Sequence, residues 1–232
     1  MKKWIILAAF AAIVAPAQAK QRTVVEELPK EIVDNNHVST VEVVIAETAQ
    51  EKLQSLEAKA AEKRTEAGLP AYDAASTSGR PAKDSYATLP FAAMFPLVMQ
   101  DVTQEWGLTE GKGTPVRLRV TVESIKTANA AMAMLMGSSD QLAGKVDVLD
   151  HQSGQELGSF YVHVINSHGG WGGLLMRGSG IREKLAQEFA LESARILTGS
   201  TKKDWKKRVK ARQKADEAAA KTAAVSTPVG GQ

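Results

Sequence analysis

The sequence contains no cysteine. It therefore offers no disulfide, no thiolate metal site, no cysteine nucleophile and no cysteine for lipid attachment after a signal peptide. Aromatic residues make up only 5% of the chain, which argues against the stacking surfaces that bind single-stranded nucleic acid. After the N-terminal segment, no apolar run approaches the roughly 20 residues that a membrane-spanning helix needs.

Excess charge is also lacking. The formal net charge is +3, but Lys2 and Lys3 belong to the N-terminal leader, and without them 27 basic residues face 26 acidic ones. A nearly neutral chain has no overall field that attracts polyanions. We expect no nucleic-acid partner.

The first 19 residues have the three parts of a secretory signal peptide. Lys2 and Lys3 give the positive start, residues 5–15 are uninterrupted apolar sequence, and Ala17-Gln-Ala19 offers a cleavage site. As a helix, this apolar run would span only about 16 Å, too little to cross a hydrocarbon core of roughly 30 Å. We expect cleavage before Lys20, a periplasmic location and no transmembrane segment in the mature chain.

Runs with a period of two predict a sheet. Residues 116–124 alternate apolar and polar side chains, and 143–149 and 157–165 repeat the pattern. The segment 150–154 is typical of a hairpin turn that ends on a left-handed residue. Together with an earlier run, 38–46, these patterns predict an α+β fold with a mainly antiparallel four-stranded sheet.

Two principal helices are predicted to pack on this sheet. Residues 91–106 place large apolar side chains on one face despite Pro96, and residues 181–198 carry an apolar stripe. A third helix, 49–67, has a narrow apolar face and is expected to be peripheral. These elements predict a single domain over residues 38–199, preceded by an extended arm, residues 20–37.

Strand parity links two unusual segments. If the last three strands form a meander, residues 127–140 and 166–180 leave the sheet at the same edge. Both are apolar and rich in Met or Gly, which suits a docking patch because Met side chains adapt to irregular surfaces. The alternative is that they fold over the sheet end as ordinary core. The candidate partner-binding residues are Met132, Met134, Met136, Trp171, Leu174 and Met176.

The glycine-rich segment does not have the residues of a phosphate loop. Gly173 and Gly178 have the spacing of a P-loop, but Ser179 stands where the lysine is required. Asp101 and Glu105 lie one helical turn apart without a partner acid or base in view, and we expect both to be solvated. We predict no catalytic residue and no cofactor.

The histidines give no support for a metal site. His37, His151, His163 and His168 lack the spacing that fixes two ligands on one element. His163 and His168 can approach each other through the glycine-rich turn, but we favour the interpretation of a polar histidine on a strand and another in a loop. We predict no bound metal.

The C-terminal segment, residues 200–232, is basic and then rich in Ala. We expect a frayed helix and a partly disordered end. The basic residues are interpreted first as a solvated extension. An electrostatic contact with anionic phospholipid or another envelope polymer is the second interpretation, and a nucleic-acid arm is disfavoured by the compartment.

Four short motifs occur in order along the chain: Val116-Arg-Leu-Arg-Val and the run through Asn129, Gly137-Ser-Ser, the hairpin from Lys145 to Leu157, and the glycine-rich segment before the last helix. Together they resemble a bacterial cell-envelope family of unknown function, whose members are periplasmic proteins and lipoproteins. The resemblance covers about residues 38–198. It implies a small α+β sandwich without known catalysis, and this chain departs from the lipoprotein members in lacking the cysteine.

These observations predict a non-enzymatic periplasmic protein that binds or assembles with another component of the cell envelope through the Met/Trp/Gly patch. The alternative is a periplasmic hydrolase or small-ligand-binding protein with a pocket at the same sheet edge. A deep cavity lined by His163 and His168 would favour the alternative, whereas a flat apolar surface would favour docking.

Overall fold

The computed structural model describes residues 28–66, 68, 89–111, 113–127, 139–166 and 181–226. The predicted signal peptide lies outside these residues. Within them, nine helices and strands follow one another along the chain. They are α1 (Lys30–Asp34), β1 (Asn36–Ile45), α2 (Glu47–Glu66), α3 (Phe91–Glu105), β2 (Thr114–Lys126), β3 (Asp140–Asp150), β4 (Glu156–Asn166), α4 (Ile181–Leu197) and α5 (Lys202–Ser226).

The four predicted strands are present and form one sheet in the order β1-β2-β3-β4. The prediction of a mainly antiparallel sheet is wrong, because β1 pairs with β2 in parallel while β2, β3 and β4 form the antiparallel meander. The sheet is therefore mixed. The physical reason is the connection: α2 and α3 lie between β1 and β2, and a helical crossover returns the chain to the same end of the sheet.

Alternation along the strands builds an apolar core on one face of the sheet. Val116, Leu118, Val120 and Val122 of β2 are at most 1% exposed. Helices α2, α3 and α4 contribute to the same core, in which the Phe95 ring meets the Phe189 ring edge to face at 5.3 Å. Both predicted principal helices therefore pack as expected, each ending one residue earlier than predicted.

The opposite face of the sheet is polar. Glu42 of β1 and Arg119 of β2 stand side by side on it and form an ion pair at 3.4 Å, with side chains 46% and 43% exposed. On β3, Lys145 lies 2.7 Å from Asp147. Ion pairs this exposed add little stability. This face is polar because the alternation along the strands places the apolar side chains in the core on the other face.

The β3–β4 connection is the predicted hairpin turn. The Asp150 carboxylate accepts hydrogen bonds from the Ser153 backbone N–H and hydroxyl, both at 2.7 Å, and Gly154 has a φ of 72°. These bonds, and a weaker one from the Gln152 N–H, lower the pKa of Asp150. A left-handed residue closes this turn, which is why Gly stands there.

A buried arginine joins three helices. The Arg182 side chain of α4 is 5% exposed and its Nη1 donates to Glu57 Oε1 of α2 at 2.8 Å, while its Nη2 lies 2.6 Å from Glu183 Oε1. Glu57 Oε1 also accepts from the Phe91 backbone N–H at 2.9 Å, at the first residue of α3. One carboxylate therefore balances a buried charge and caps a helix.

The basic C-terminal segment contains a long helix that docks on the domain. Trp205 of α5 is 7% exposed, and its ring lies 4.2 Å from the ring of Trp106, just after α3. Arg208 stacks near both rings, at 5.3 and 5.4 Å, and Arg212 lies over Trp106 and donates to the Glu105 carbonyl. Two tryptophans and two arginines thus attach α5 to the body.

The segment that the sequence predicts as an extended arm includes α1 and the start of β1. Ile32 and Val33 pack against the core, and the Asn36 amide donates to the carbonyls of Ile32, Val33 and Leu197. These contacts connect the N-terminal part of the domain to the end of α4.

Candidate functional site

The candidate site is the end of the sheet where β2 and β4 end and β3 begins. In the strand register, Lys126 lies opposite Gln141, and Asn166 lies opposite Asp140. The segments that follow β2 and β4 therefore leave the sheet at the same end, as strand parity predicts.

The residues predicted to bind a partner lie outside the described residues. Met132, Met134 and Met136 belong to the connection after β2, and Trp171, Leu174 and Met176 to the segment after β4. Gly173, Gly178, Ser179 and His168 also fall there. The strand ends that carry these segments are described, and they provide the geometry of the site.

Side chains on the polar face form an outer row at this end. Lys126, Gln141 and Ile165 stand next to one another across the three strands, and Val164 beside them points into the core. We call Lys126, Gln141 and Ile165, together with the adjacent His163, Tyr161 and Glu123, the sheet-end surface.

Ile165 is the most exposed large apolar side chain in the described part of the chain. It is 51% exposed, compared with 40% for Val44 of β1. Ile165 is not among the predicted site residues, because it ends a run of alternating apolar residues in which an isoleucine is easily taken for core. Its signal was the parity: Phe160, Val162 and Val164 occupy the core positions, so Ile165 must lie on the other face.

His163 is paired with an amide. Its Nε2 lies 3.3 Å from Gln141 Oε1, and both side chains are half-buried. A Gln amide fixes the position of an imidazole ring through a neutral hydrogen bond. This arrangement suits a positioned polar contact better than an acid–base pair.

Tyr161 and Glu123 form the other polar pair. Burial raises the pKa of Tyr161 above its usual 10.0, and the charge of Glu123 and the hydrogen bond to it raise it further. Glu123 occupies the position where the β2–β3 register shifts, between Val122 and Ser124. The bulge directs this carboxylate toward the β4 tyrosine.

The other titratable residues considered from sequence lie elsewhere. His37 Nδ1 is 2.8 Å from the Gly113 carbonyl oxygen at the far end of β1, and His151 is exposed in the β3–β4 turn. Asp101 and Glu105 are half-buried on α3 and have interaction partners. The structure does not bring these four residues to the sheet-end surface.

The described part of the chain includes no helix long and apolar enough to cross a membrane. No protein-family model matches the sequence, and no curated protein matches it either. The resemblance to the envelope family therefore stays a prediction.

Several solved structures show a weak likeness. A protein from Caulobacter crescentus CB15, provisionally assigned as a lipoprotein, is 16% identical with a TM-score of 0.29, over 47% of this chain and 81% of that one. The PelC dodecamer from Paraburkholderia phytofirmans is 13% identical with a TM-score of 0.29, over 74% and 91%. Lipoprotein GNA1162 from Neisseria meningitidis is 19% identical with a TM-score of 0.23, over 64% and 95%. TM-scores in this range do not establish a common fold, so these likenesses carry no function to this chain.

Proposed function

We propose that this chain is a non-enzymatic protein of the cell envelope that binds or assembles with another envelope protein through the end of its sheet. The binding patch combines the exposed sheet-end surface with the apolar segments after β2 and β4, including Met132, Met134, Met136, Trp171, Leu174 and Met176. The protein reaches the periplasm through its cleaved signal peptide.

One observation carries this proposal: Ile165 is 51% exposed next to the points where both apolar segments leave the sheet. A half-exposed isoleucine gains stability when a partner removes it from water, and single apolar anchors surrounded by polar groups are typical of protein interfaces. Lys126, Gln141 and Tyr161 provide such polar groups around it. The described residues thus form one rim of a docking surface.

The polar pairs at the same end favour docking over hydrolysis. Hydrolysis by acid–base catalysis commonly uses a base that is hydrogen-bonded to a nucleophile and oriented by a third group such as a carboxylate. His163 is instead held by the Gln141 amide, and Tyr161 is held by Glu123 in a form that resists ionisation. Both pairs offer hydrogen-bond donors and acceptors to a partner surface.

Site-specific crosslinking in intact cells tests the proposal. A photoreactive residue is placed at position 165 and, in a second variant, at 171, with a control at Gln152 in the exposed turn at the opposite end of the sheet. We expect a discrete adduct with one envelope protein from positions 165 and 171 and none from 152. Ile165→Asp should abolish the adduct formed at 171.

Two results would count against the proposal. Equal crosslinking from positions 165 and 152 would mean that the sheet end has no partner. In a Trp171→Cys variant, failure of a water-soluble thiol reagent to label position 171 would mean that this segment is part of the core. Secretion is checked separately: N-terminal sequencing of the periplasmic protein should begin at Lys20.

A further inference from the structure

The lysines of α5 share one face of the helix. At about 100° per residue, Lys203, Lys206, Lys207, Lys210 and Lys214 fall within an arc of about 100°. All five are exposed, and Asp204 is the single acidic residue between positions 202 and 214. We call these five residues the lysine face.

The docked side of α5 lies opposite the lysine face. Trp205, Arg208, Val209 and Arg212 point toward the body, where the tryptophan and both arginines contact Trp106. The docking therefore fixes the orientation of the helix, so that the lysine face points away from the domain.

Like charges at i,i+3 and i,i+4 disfavour an isolated helix. The lysine face contains five such pairs, namely 203/206, 203/207, 206/210, 207/210 and 210/214. Lys207 also forms an ion pair with Asp204, which lies outside the lysine face, at 3.9 Å, with side chains 70% and 60% exposed. This array of positive charge is held in place by the Trp205 contact and is left available to an external anion.

We propose that the lysine face binds the surface of a membrane that contains anionic phospholipid. The binding is electrostatic and peripheral, because the apolar side chains of this part of the helix are turned into the fold and cannot enter the bilayer. Lysine heads are point charges that suit a diffuse layer of phosphate groups.

The same geometry argues against nucleic acid as the occupant. Specific recognition of nucleic acid relies on arginine forks and on aromatic side chains that stack with bases. In α5, Arg208, Arg212 and Trp205 contact the domain and lie outside the lysine face. What remains is a flat row of lysines, about 16 Å long, which matches a planar anionic surface.

Vesicle co-sedimentation of the mature chain, residues 20–232, tests this inference. The probes are vesicles of phosphatidylglycerol mixed with phosphatidylcholine, and vesicles of phosphatidylcholine alone. Binding is expected only to the anionic vesicles, and it should weaken steeply between about 0.05 and 0.5 M salt as the charges are screened. The test variant is Lys206→Gln/Lys210→Gln.

The matched control is Lys52→Gln/Lys59→Gln, which removes the same charge from exposed positions of α2. Each membrane-facing lysine contributes about fivefold to binding, so the test variant should bind roughly 25-fold more weakly than the parent while the control changes little. Circular dichroism should show the same helix content in all three proteins.

Equal losses in the two double variants would overturn the inference, because net charge and not the lysine face would then control binding. Strong binding to phosphatidylcholine alone, or displacement from anionic vesicles by equimolar duplex DNA, would also overturn it. The lysine face is separate from the sheet end, and its failure would leave the docking proposal standing.

Discussion

Removing the Glu57 carboxylate should destabilise the domain by about 3 kcal/mol. Its Oε1 accepts two hydrogen bonds, one from the Arg182 guanidinium at 2.8 Å and one from the Phe91 backbone N–H at 2.9 Å. Losing a bond to a charged donor costs about 1.5 to 3 kcal/mol, and losing a helix cap costs about 1 kcal/mol. Arg182 keeps Glu183 as a partner, which holds the sum near the lower end of the range for breaking a buried pair.

Three variants separate these contributions. Glu57→Ala removes the charge and the acceptor, whereas Glu57→Gln keeps an oxygen for both donors and should cost about 1 kcal/mol. Glu51→Ala, earlier on the exposed side of α2, is the control and should stay within about 0.5 kcal/mol of the parent. Urea unfolding followed by circular dichroism gives the free energies of unfolding, provided that the dependence of this free energy on urea concentration has the same slope in all variants.

The outcome of this series decides whether Glu57 is structural. If Glu57→Ala unfolds at the same urea concentration as Glu51→Ala, the contact between Glu57 and Arg182 does not stabilise the fold, and the structural role given to Glu57 is wrong. If Glu57→Gln is as damaging as Glu57→Ala, the charge matters and the cap does not.

Trp205→Ala should lower the free energy of unfolding by about 3 kcal/mol, since it removes a buried ring and its aromatic partner contact; an effect below about 1 kcal/mol in urea unfolding would mean that α5 is not docked. Gly144→Ala should cost about 2 to 3 kcal/mol because an added Cβ would lie 2.3 Å from the Thr121 backbone oxygen. A melting temperature that is unchanged by Gly144→Ala would contradict this strand packing. Tyr161 should ionise above pH 10, read as the absorbance difference between the parent and Tyr161→Phe, and Glu123→Gln should move this titration downward. The raised pKa keeps Tyr161 protonated in the folded state. The stability that Tyr161 contributes is therefore fully present below pH 10 and is lost as the pH rises from 10 through the folded-state pKa. A Tyr161 titration that is unchanged by Glu123→Gln would contradict the pairing of Tyr161 with Glu123.

Local patterns predicted most of the elements because burial in this fold is one-sided. Along β2, an apolar side chain at every second position is what a sheet with one covered face requires, and the strand extends only two residues beyond each predicted end. The 150–154 turn could also be predicted from the sequence, since its Asp, Ser and Gly residues each satisfy a local requirement that depends on no distant partner.

The parts that local patterns missed depend on distant partners. The parallel pairing of β1 with β2 follows from a crossover through α2 and α3, which alternation along a strand does not record. The docking of α5 depends on Trp106, far from Trp205 in sequence, so residues 202–214 viewed alone have too little apolar surface to predict a packed helix. Exposure of Ile165 could be derived from parity, but its position beside two apolar segments required the register of three strands.

The mixed topology also has a consequence for the order in which the sheet is completed. β2, β3 and β4 are consecutive in sequence and in the sheet, so their pairings close short loops. β1 leaves the ribosome before β2, its one partner among the described strands, and it stays unpaired until residues 46–113 and then β2 have followed. The meander should therefore form first during folding, and the strand that comes first in the chain should be the last to gain its hydrogen bonds.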